Sequence, residues 1–467
     1  MDAFHLIIDG QLKPGSMTMK VMNPATGKLI ADCPRADAEQ LNDAVAAAKR
    51  AFPAWANLTY AARRTMIHAI SEALAARLEE FAHLLTSEEG MPLHESTKEI
   101  RGSVALLKLL SNMELTDEVL KENETVTVIR HRTPLGVVAA ITPWNAPMVL
   151  LIVKITSALV TGNTVVAKPA PTTPLTSLRF AEICNACLPA GVFNMITDAN
   201  DLGTMLTSHP DVEQISFTGS TATGKKIIQA AASSLKRLTL ELGGNDPAIV
   251  LEDADLKTVA PKIFAAAMAN AGQICLAIKR VYVHESQYEE LCDELAKLAD
   301  ATVVNDGSKQ DTQIGPLQNK MQYDKVRALI EETRHDGKII AGGTFPEGPG
   351  YFIRPTIVRD IDDNARLVRE EQFGPVLPVL SYTSIDDAIE RANDTEYGLG
   401  ATVWSADSEK ALAVARQINA GTVWINTHML LQPDVPAGGA RQSGMGVEMG
   451  MEGLAELTQS HIVYVTK

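Results

Sequence analysis

The stretch Val137–Asn145, VVAAITPWN, combines a short apolar run with a turn that ends on a polar amide. Three more short apolar runs follow at 164–167, 215–217 and 238–241, and each leads into a helical stretch or a turn. Short buried strands that alternate with helices form a parallel sheet with helices on both faces. These runs therefore predict an α/β fold.

The region upstream of these strands supplies helices and one further strand. Asp37 and Gln40 form a capping box that predicts a helix over 37–52. Apolar residues spaced by three and four predict one longer helix through 67–85. The alternating segment 125–132 predicts a strand with charges along one edge.

The region downstream predicts a second α/β unit and a final strand. The second unit extends from Pro247 to about Gly444, and the tail returns to strand character over 460–465. A chain of 467 residues is too long for one ordinary core, so two or three lobes are expected. The apolar edge Ile462–Val465 would suit pairing with another subunit.

Composition narrows the classes of function. With 46% hydrophobic and 21% charged residues the chain is globular, and its net charge of −15 disfavours nucleic acid and anionic membranes as partners. The most apolar stretch, 137–160, is interrupted by prolines and a lysine, so no membrane span is expected. Five cysteines and no visible secretory signal predict a reducing, cytoplasmic location.

Two residues suggest covalent chemistry at a carbonyl. Cys275 ends the segment GQIC, and Glu241 lies 34 residues earlier in LELGGN. A thiol can add to a carbonyl carbon, and a carboxylate in a dry pocket can activate the water that releases a thioester. Taken singly, such a cysteine is usually a buried hydrophobe and such a glutamate a turn residue.

Five further segments occur in the same order as in a known family: TPWN at 142–145, VAKP at 166–169, FTGS at 217–220, EEQFGP at 370–375 and PAGGARQSG at 436–444. Together with LELGG and GQIC, their order and spacing resemble the aldehyde dehydrogenase superfamily from about Asn23 to the end. The resemblance implies a Rossmann-like cofactor domain (1–117 and 135–244) and an α/β catalytic domain (245–445). It also implies a small β oligomerisation element (118–134 and 446–467) in a homodimer or homotetramer.

The residues expected to bind the cofactor are assigned partly from the sequence pattern and partly from the resemblance. No Gly-x-Gly-x-x-Gly fingerprint is present, but Gly219 and Ser220 precede a predicted helix whose free N–H groups suit a pyrophosphate. The resemblance places Lys168 at the adenosine ribose and Glu371 at the nicotinamide ribose. It also implies cofactor contacts by four more residues: Thr142, Trp144, Leu242 and Phe373.

The identity of the cofactor depends on one substitution. NAD-preferring members of the family often carry a glutamate three residues after the lysine, and this chain has Pro171 there. Without that carboxylate a 2′-phosphate meets less repulsion. NAD and NADP are therefore both admissible.

The resemblance also assigns the steps of catalysis. Cys275 would attack the aldehyde, and the Asn145 amide with the Cys275 backbone N–H would stabilise the oxyanion. After hydride transfer, Glu241 would activate water to hydrolyse the thioester. Lys154 and Glu448 match positions implicated in moving the proton away; alternatively they form a buried ion pair.

Small residues around the predicted nucleophile point to a wide substrate pocket. Where the family often has aromatic side chains, this chain has Ala146, Val153 and Ala437. The remaining pocket positions are apolar: Val149, Leu150, Ile274, Leu276 and Leu431. A bulky or aromatic aldehyde is therefore expected in preference to a small charged semialdehyde.

Other interpretations stay open at this point. A CoA-acylating dehydrogenase would release the acyl group to CoA, although retention of Glu241 favours water. A noncatalytic protein with the same fold is the alternative from another class. Cys184 and Cys187 form one Cys-x-x-Cys in a helical stretch without nearby histidines, so no metal is predicted.

Overall fold

A computed structural model describes residues 3–467 of the chain. Its strands are β1 (Leu6–Ile8), β2 (Gln11–Lys13), β3 (Met17–Met22), β4 (Leu29–Arg35), β5 (Glu118–Glu122), β6 (Val126–Pro134), β7 (Val137–Ile141), β8 (Thr164–Lys168), β9 (Phe193–Met195), β10 (Gln214–Thr218), β11 (Arg237–Glu241), β12 (Asp246–Val250), β13 (Ile278–His284), β14 (Lys338–Ala341), β15 (Thr356–Arg359), β16 (Val376–Tyr382), β17 (Gly400–Trp404), β18 (Thr422–Ile425), β19 (Gly444–Met445) and β20 (Thr458–Thr466).

The helices of the same residues are α1 (Ala38–Ala56), α2 (Tyr60–Ala76), α3 (Leu78–Glu89), α4 (Leu93–Ser111), α5 (Pro147–Val160), α6 (Leu175–Cys187), α7 (Gly203–Ser208), α8 (Thr221–Ala231), α9 (Leu256–Met268), α10 (Tyr288–Ala301), α11 (Lys320–Asp336), α12 (Arg366–Arg369), α13 (Ile385–Asn393), α14 (Ser408–Ala415) and α15 (Gly450–Glu456). None of the helices within 3–467 is long and apolar enough to cross a membrane.

The first sheet has eight strands in the order β19-β11-β10-β7-β8-β9-β1-β2. The five strands from β11 to β9 are parallel, as the apolar runs predict, and the edge strands β19, β1 and β2 are antiparallel. Buried helices cover both faces, with α5 and α6 in one apolar cluster and α1 in the other. The carboxyl ends of β7, β8, β10 and β11 therefore lie along one edge.

A second sheet has seven strands in the order β14-β15-β16-β13-β12-β17-β18, of which only β14 is antiparallel. Four residues join the end of β11 at Glu241 to the start of β12 at Asp246. The carboxyl edge of the first sheet therefore meets the amino edge of the second. This junction carries the residues predicted to be functional.

A third sheet, β20-β6-β5, includes both segments expected in the oligomerisation element. Strand β20 pairs antiparallel with β6 over its whole length, from Thr458 opposite Pro134 to Thr466 opposite Val126. Its apolar side chains stay in solvent, and Tyr464 is 72% exposed. The predicted strand at the tail is confirmed.

Two sequence-based helices differ in length from those observed. The first begins at the Asp37 capping box as predicted, but it continues through Pro53 to Ala56. The long helix predicted through 67–85 is in fact two helices, α2 and α3, separated at Arg77 (φ −115°, ψ 20°). Both helices bury their apolar residues in the same cluster, so the periodicity continues across the break.

Candidate active site

Three predicted residues meet at the junction between the two large sheets. Asn145 lies in the turn after β7, Glu241 is the last residue of β11, and Cys275 lies between α9 and β13. The Asn145 side chain is buried, and its Nδ2 donates to the Gln273 carbonyl, 2.7 Å away. This bond joins the turn of the first sheet to the loop that carries the cysteine.

The loop before Cys275 has an unusual backbone that the sequence did not reveal. Asn270 and Ala271 have φ values of 48° and 56°, in the left-handed region that non-glycine residues rarely occupy. Asn270 Nδ2 donates both to the Asn145 carbonyl at 2.9 Å and to the buried Glu89 carboxylate at 2.8 Å. These bonds stabilise the loop, so Asn270 is a site residue that motif analysis missed.

The electrostatics of the pair Cys275 and Glu241 are set by burial. Burial raises the pKa of the Cys275 thiol well above its ordinary value, and the neighbouring Glu241 carboxylate raises it further. Burial also raises the pKa of Glu241 to about 7, although contact with Cys275 opposes this shift. Glu241 Oε1 has no hydrogen-bond partner among the described residues. A half-buried carboxyl with a pKa of about 7 is suited to proton transfer.

Lys154 and Glu448, 294 residues apart in the chain, form a direct ion pair. Lys154 Nζ lies 2.5 Å from Glu448 Oε1, which also accepts from Ser216 Oγ at 3.1 Å. Both charges act on Glu241: Glu448 raises its pKa and Lys154 lowers it. The two residues line a small cavity with room for about one water.

The residues expected at the pyrophosphate form a helix N-terminus. Ser220 is the N-cap of α8, and its hydroxyl accepts from the Thr223 N–H. The amides of the first helical turn that lack an intrahelical partner suit an anion. A Cβ at Gly219 would come within 2.5 Å of the Phe217 ring, so only glycine leaves the approach open. The Gly219 and Ser220 segment therefore fits a dinucleotide phosphate.

Lys168, expected at the adenosine ribose, has a protein partner that the sequence did not predict. Its Nζ donates to Asp198 Oδ1 at 2.7 Å, and both side chains are buried. Asp198 follows β9, the neighbour of β8, and its other oxygen accepts from the Leu202 N–H. The half-buried Pro171 lies after β8 with no carboxylate in its side chain. Asp198 thus supplies a carboxylate beside Lys168, although it belongs to the segment after β9 and not to position 171.

The remaining predicted cofactor residues surround the same junction. Glu371 Oε1 accepts from the Gly244 N–H at 3.0 Å, and the Phe373 ring packs edge-on against Trp144 with centroids 5.5 Å apart. Leu242 is buried, and a Cβ at Gly224 would lie 2.6 Å from its Cδ2, so β11 and α8 pack closely. The buried Thr142 Oγ1 has no hydrogen-bond partner within 3–467, which leaves it available to a ligand.

The predicted pocket residues lie on three elements. Ala146, Val149, Leu150 and Val153 follow one face of the start of α5, at spacings of three and four. Val153 packs with Leu110 and Met449, and the half-buried Ala437 packs against the same cluster. Met449 therefore fills part of the space expected near Val153 and Ala437. The other three residues are the half-buried Ile274 and Leu276, beside the cysteine, and Leu431, which is 43% exposed.

The cysteines of the Cys-x-x-Cys segment behave as packing residues. Cys184 and Cys187 lie in α6 as free thiols, and Cys184 is fully buried. Residues 3–467 contain no group of three or more histidine, cysteine or acidic side chains placed to hold a metal ion.

A thiol and a titratable carboxyl beside a helix N-terminus that suits a phosphate are the combination expected of a dinucleotide-dependent enzyme that works through a cysteine. The chain belongs to the aldehyde dehydrogenase family, which it matches over residues 12–463. It is 37% identical to the geranial dehydrogenase of Castellaniella defragrans, with 100% of this chain and 99% of that protein covered. It is 38% identical to the chloroplastic betaine aldehyde dehydrogenase of Beta vulgaris, covering 96% and 94%.

Solved structures agree with the fold and the cofactor class. The aldehyde dehydrogenase of Bacillus cereus in complex with NAD⁺ has 35% sequence identity and a TM-score of 0.97, covering 100% of this chain and 97% of that one. An NADP-dependent enzyme of E. coli has 33% identity and a TM-score of 0.97, covering 100% and 98%. The protein is thus an NAD(P)-dependent oxidoreductase that acts on aldehydes.

Proposed function

We propose that this enzyme oxidises a bulky apolar or aromatic aldehyde to the carboxylic acid, with Cys275 as the nucleophile and water as the acyl acceptor. The observation that carries the proposal is the meeting of Cys275, Glu241 and the buried Asn145 amide at one junction. Each side chain is suited to one step of that reaction. The division into cofactor, catalytic and oligomerisation domains given above belongs to the same proposal.

In the first step the Cys275 thiol gives its proton to the Glu241 carboxylate that contacts it, the sulfur bonds to the aldehyde carbon, and the carbonyl oxygen becomes an oxyanion. The Asn145 amide has two N–H groups, of which the Gln273 carbonyl occupies one. The other, with the Cys275 backbone N–H, stabilises the oxyanion. Removal of one such donor costs about 10²–10³ in rate in well-studied enzymes.

NAD(P)⁺ would be held by Gly219, Ser220, Lys168 and Glu371, and when bound it supplies the acceptor for the hydride. Loss of hydride from the tetrahedral carbon leaves a thioester on Cys275. The Glu241 carboxylate then removes a proton from water, which attacks the thioester carbon and releases the acid and the Cys275 thiolate. A pKa of about 7 makes Glu241 strong enough to take this proton at neutral pH.

Lys154 and Glu448 are proposed to carry the proton from Glu241 toward solvent. The support is their direct ion pair, their electrostatic effect on Glu241 and the small cavity that they line. The competing interpretation, an ion pair without a relay role, predicts that removal of either residue shifts the pH dependence through its charge but leaves the maximal hydrolysis rate unchanged.

The substrate class rests on the apolar character of the pocket residues. One relative is named for geranial and another for betaine aldehyde at nearly the same identity, so overall similarity does not distinguish them. Val149, Leu150 and Leu276 offer no charge to a cationic or carboxylated substrate. The exposed Leu431 adds apolar surface in the loop that precedes Ala437.

We also propose a homodimer or homotetramer that pairs through β20. Strand β20 lies at the edge of its sheet and carries four consecutive exposed apolar residues, Ile462 to Val465, and such an edge favours pairing with a second chain. The cytoplasmic location expected from composition stays a prediction.

Product analysis tests the hydrolytic reaction against the CoA-acylating alternative. The enzyme is incubated with phenylacetaldehyde and NAD(P)⁺, with and without CoA, and the products are separated by chromatography. We expect the free acid in equal yield under both conditions. An acyl-CoA product, or an acid yield that requires CoA, would reverse the assignment of water as acceptor.

A further inference from the structure

Lys279 is a buried lysine next to the loop of the nucleophile, and the mechanism above does not use it. It is the second residue of β13 and only 1% exposed. Its Nζ donates to the Ile274 carbonyl at 2.6 Å and to the Gly272 carbonyl at 3.2 Å. Both carbonyls belong to the three residues that precede Cys275.

The charge of Lys279 has no close ion-pair partner in the part of the chain that the structure describes. Its main opposite charges act through space and come from Glu371 and Asp246, while Lys325 acts as a like charge. Burial lowers the pKa of Lys279. The ammonium group faces the Phe373 ring, 5.3 Å from its centroid, as well as the two carbonyls, but no direct counterion neutralises the buried charge.

The other charges around the thiol are negative. Glu241, Glu371 and Asp246 all disfavour the Cys275 thiolate. Lys279 acts on Cys275 with the opposite sign, since the thiolate would stabilise its ammonium group. A cation beside a cysteine favours the thiolate, which is the nucleophilic form.

The same lysine anchors a strained segment. Gly272 ends a run of three residues with positive φ, and a Cβ there would come within 2.3 Å of the Gly374 carbonyl. Such conformations persist only where the surroundings over-determine them. The bonds from Lys279 to the Gly272 and Ile274 carbonyls hold the end of this run next to Cys275.

We propose that Lys279 is a positioning residue for the nucleophile: its ammonium group fixes the loop carbonyls before Cys275 and supplies the positive charge that stabilises the thiolate. The inference rests on the proposed role of Cys275 as nucleophile. It adds a charged residue that none of the predicted motifs contains.

Alkylation of Cys275 by iodoacetamide tests this role without turnover. The pseudo-first-order rate is measured by peptide mass spectrometry from pH 6 to 10 on the full-length apo-enzyme, for the parent, Lys279→Met and Lys279→Arg. We expect Lys279→Met to be alkylated about tenfold more slowly than the parent at each pH on the rising part of the profile, as for a thiol whose pKa is higher by about one unit. Lys279→Arg retains the charge and restores most of the rate.

Two controls keep the outcome decisive. Lys262→Met removes an exposed lysine from α9 and should leave the profile of the parent unchanged. Thermal unfolding identifies a variant that fails to fold, in which case Lys279→Gln replaces Lys279→Met. A Lys279→Met or Lys279→Gln profile that superimposes on that of the parent contradicts the proposal, and so does a Lys279→Arg variant that is alkylated no faster than Lys279→Met. If the parent enzyme does not oxidise aldehydes, the proposed function is wrong. A shifted alkylation profile would still support the role proposed for Lys279.

Discussion

The pKa of Glu241 predicts a specific pH dependence of thioester hydrolysis. Burial raises this pKa from 4.5 to about 7, so the base is only about one tenth ionised at pH 6. An ordinary glutamate would be almost fully ionised there. The hydrolysis rate should therefore fall about tenfold between pH 8 and pH 6, with a slope of one per pH unit below 7.

The hydrolysis rate rises with pH up to about 7, and this rising part of the profile is its acid limb. The neighbouring charges predict the direction in which the acid limb moves in two variants. Lys154 lowers the pKa of Glu241 and Glu448 raises it. Lys154→Met should therefore move the limb to higher pH, and Glu448→Gln should move it to lower pH. Opposite shifts distinguish an electrostatic effect from a general loss of activity.

Pre-steady-state kinetics separates hydrolysis from the earlier steps. Stopped-flow absorbance at 340 nm records the NAD(P)H burst and the later steady state from pH 5.5 to 9. Chain unfolding is monitored in parallel by tryptophan fluorescence. A hydrolysis rate that is flat between pH 5.5 and 8, or a limb that stays in place in both variants, would refute the assignment of Glu241 as the base.

Three further predictions concern the cofactor, the loop and the substrate. Pro171→Glu should raise the ratio of kcat/KM for NAD to that for NADP about tenfold. Asp198→Asn should lower the same ratio, because Lys168 is then free to meet a 2′-phosphate. An unchanged ratio in both variants contradicts these assignments. Asn270→Ala should lower kcat at least about tenfold with little change in cofactor Kd, measured by fluorescence titration, because the Asn145 carbonyl and Glu89 lose their donor. Aromatic or long apolar aldehydes should exceed acetaldehyde in kcat/KM by at least about tenfold. Ala437→Phe should reduce this difference, because the ring fills the pocket. Equal kcat/KM for acetaldehyde or a charged semialdehyde would rule out the wide pocket.

The sequence predicts the parts of this protein that depend on local pattern. The parallel strands contain short apolar runs, and helix α1 begins at its capping box because Asp37 and Gln40 satisfy each other's backbone donors. Cys275 and Glu241 stand in segments that are recognisable by order and spacing. The strand character of the tail was also predicted, and the structure has β20 there, whereas its role in oligomerisation stays a prediction.

Features that depend on distant segments escaped prediction for physical reasons. Asp198 meets Lys168 only because β8 and β9 are adjacent, and nothing in either segment specifies that pairing. Asn270 stands in a run of small residues that reads as a continued helix, but the backbone turns left-handed there. The boundary at Arg77 is invisible because both helices bury apolar residues in one core.

The role of Lys279 illustrates the same limit. A lysine in a strand pattern is expected to face solvent, where its ammonium group is hydrated. In this fold β13 lies between β12 and β16 and both of its faces are covered, so the side chain is buried. Only the three-dimensional arrangement shows that its hydrogen bonds reach the loop of Cys275.

The central claim is a covalent thioester on Cys275 that Glu241 hydrolyses, and trapping that intermediate tests it most directly. Glu241→Gln is mixed with phenylacetaldehyde and excess NAD(P)⁺, quenched in acid within seconds, digested and analysed by mass spectrometry. We predict one phenylacetyl group on the Cys275 peptide, in an amount equal to the NAD(P)H formed in the burst. NAD(P)H formation without an acyl group on Cys275, or Glu241→Gln turnover as fast as the parent, would contradict the account.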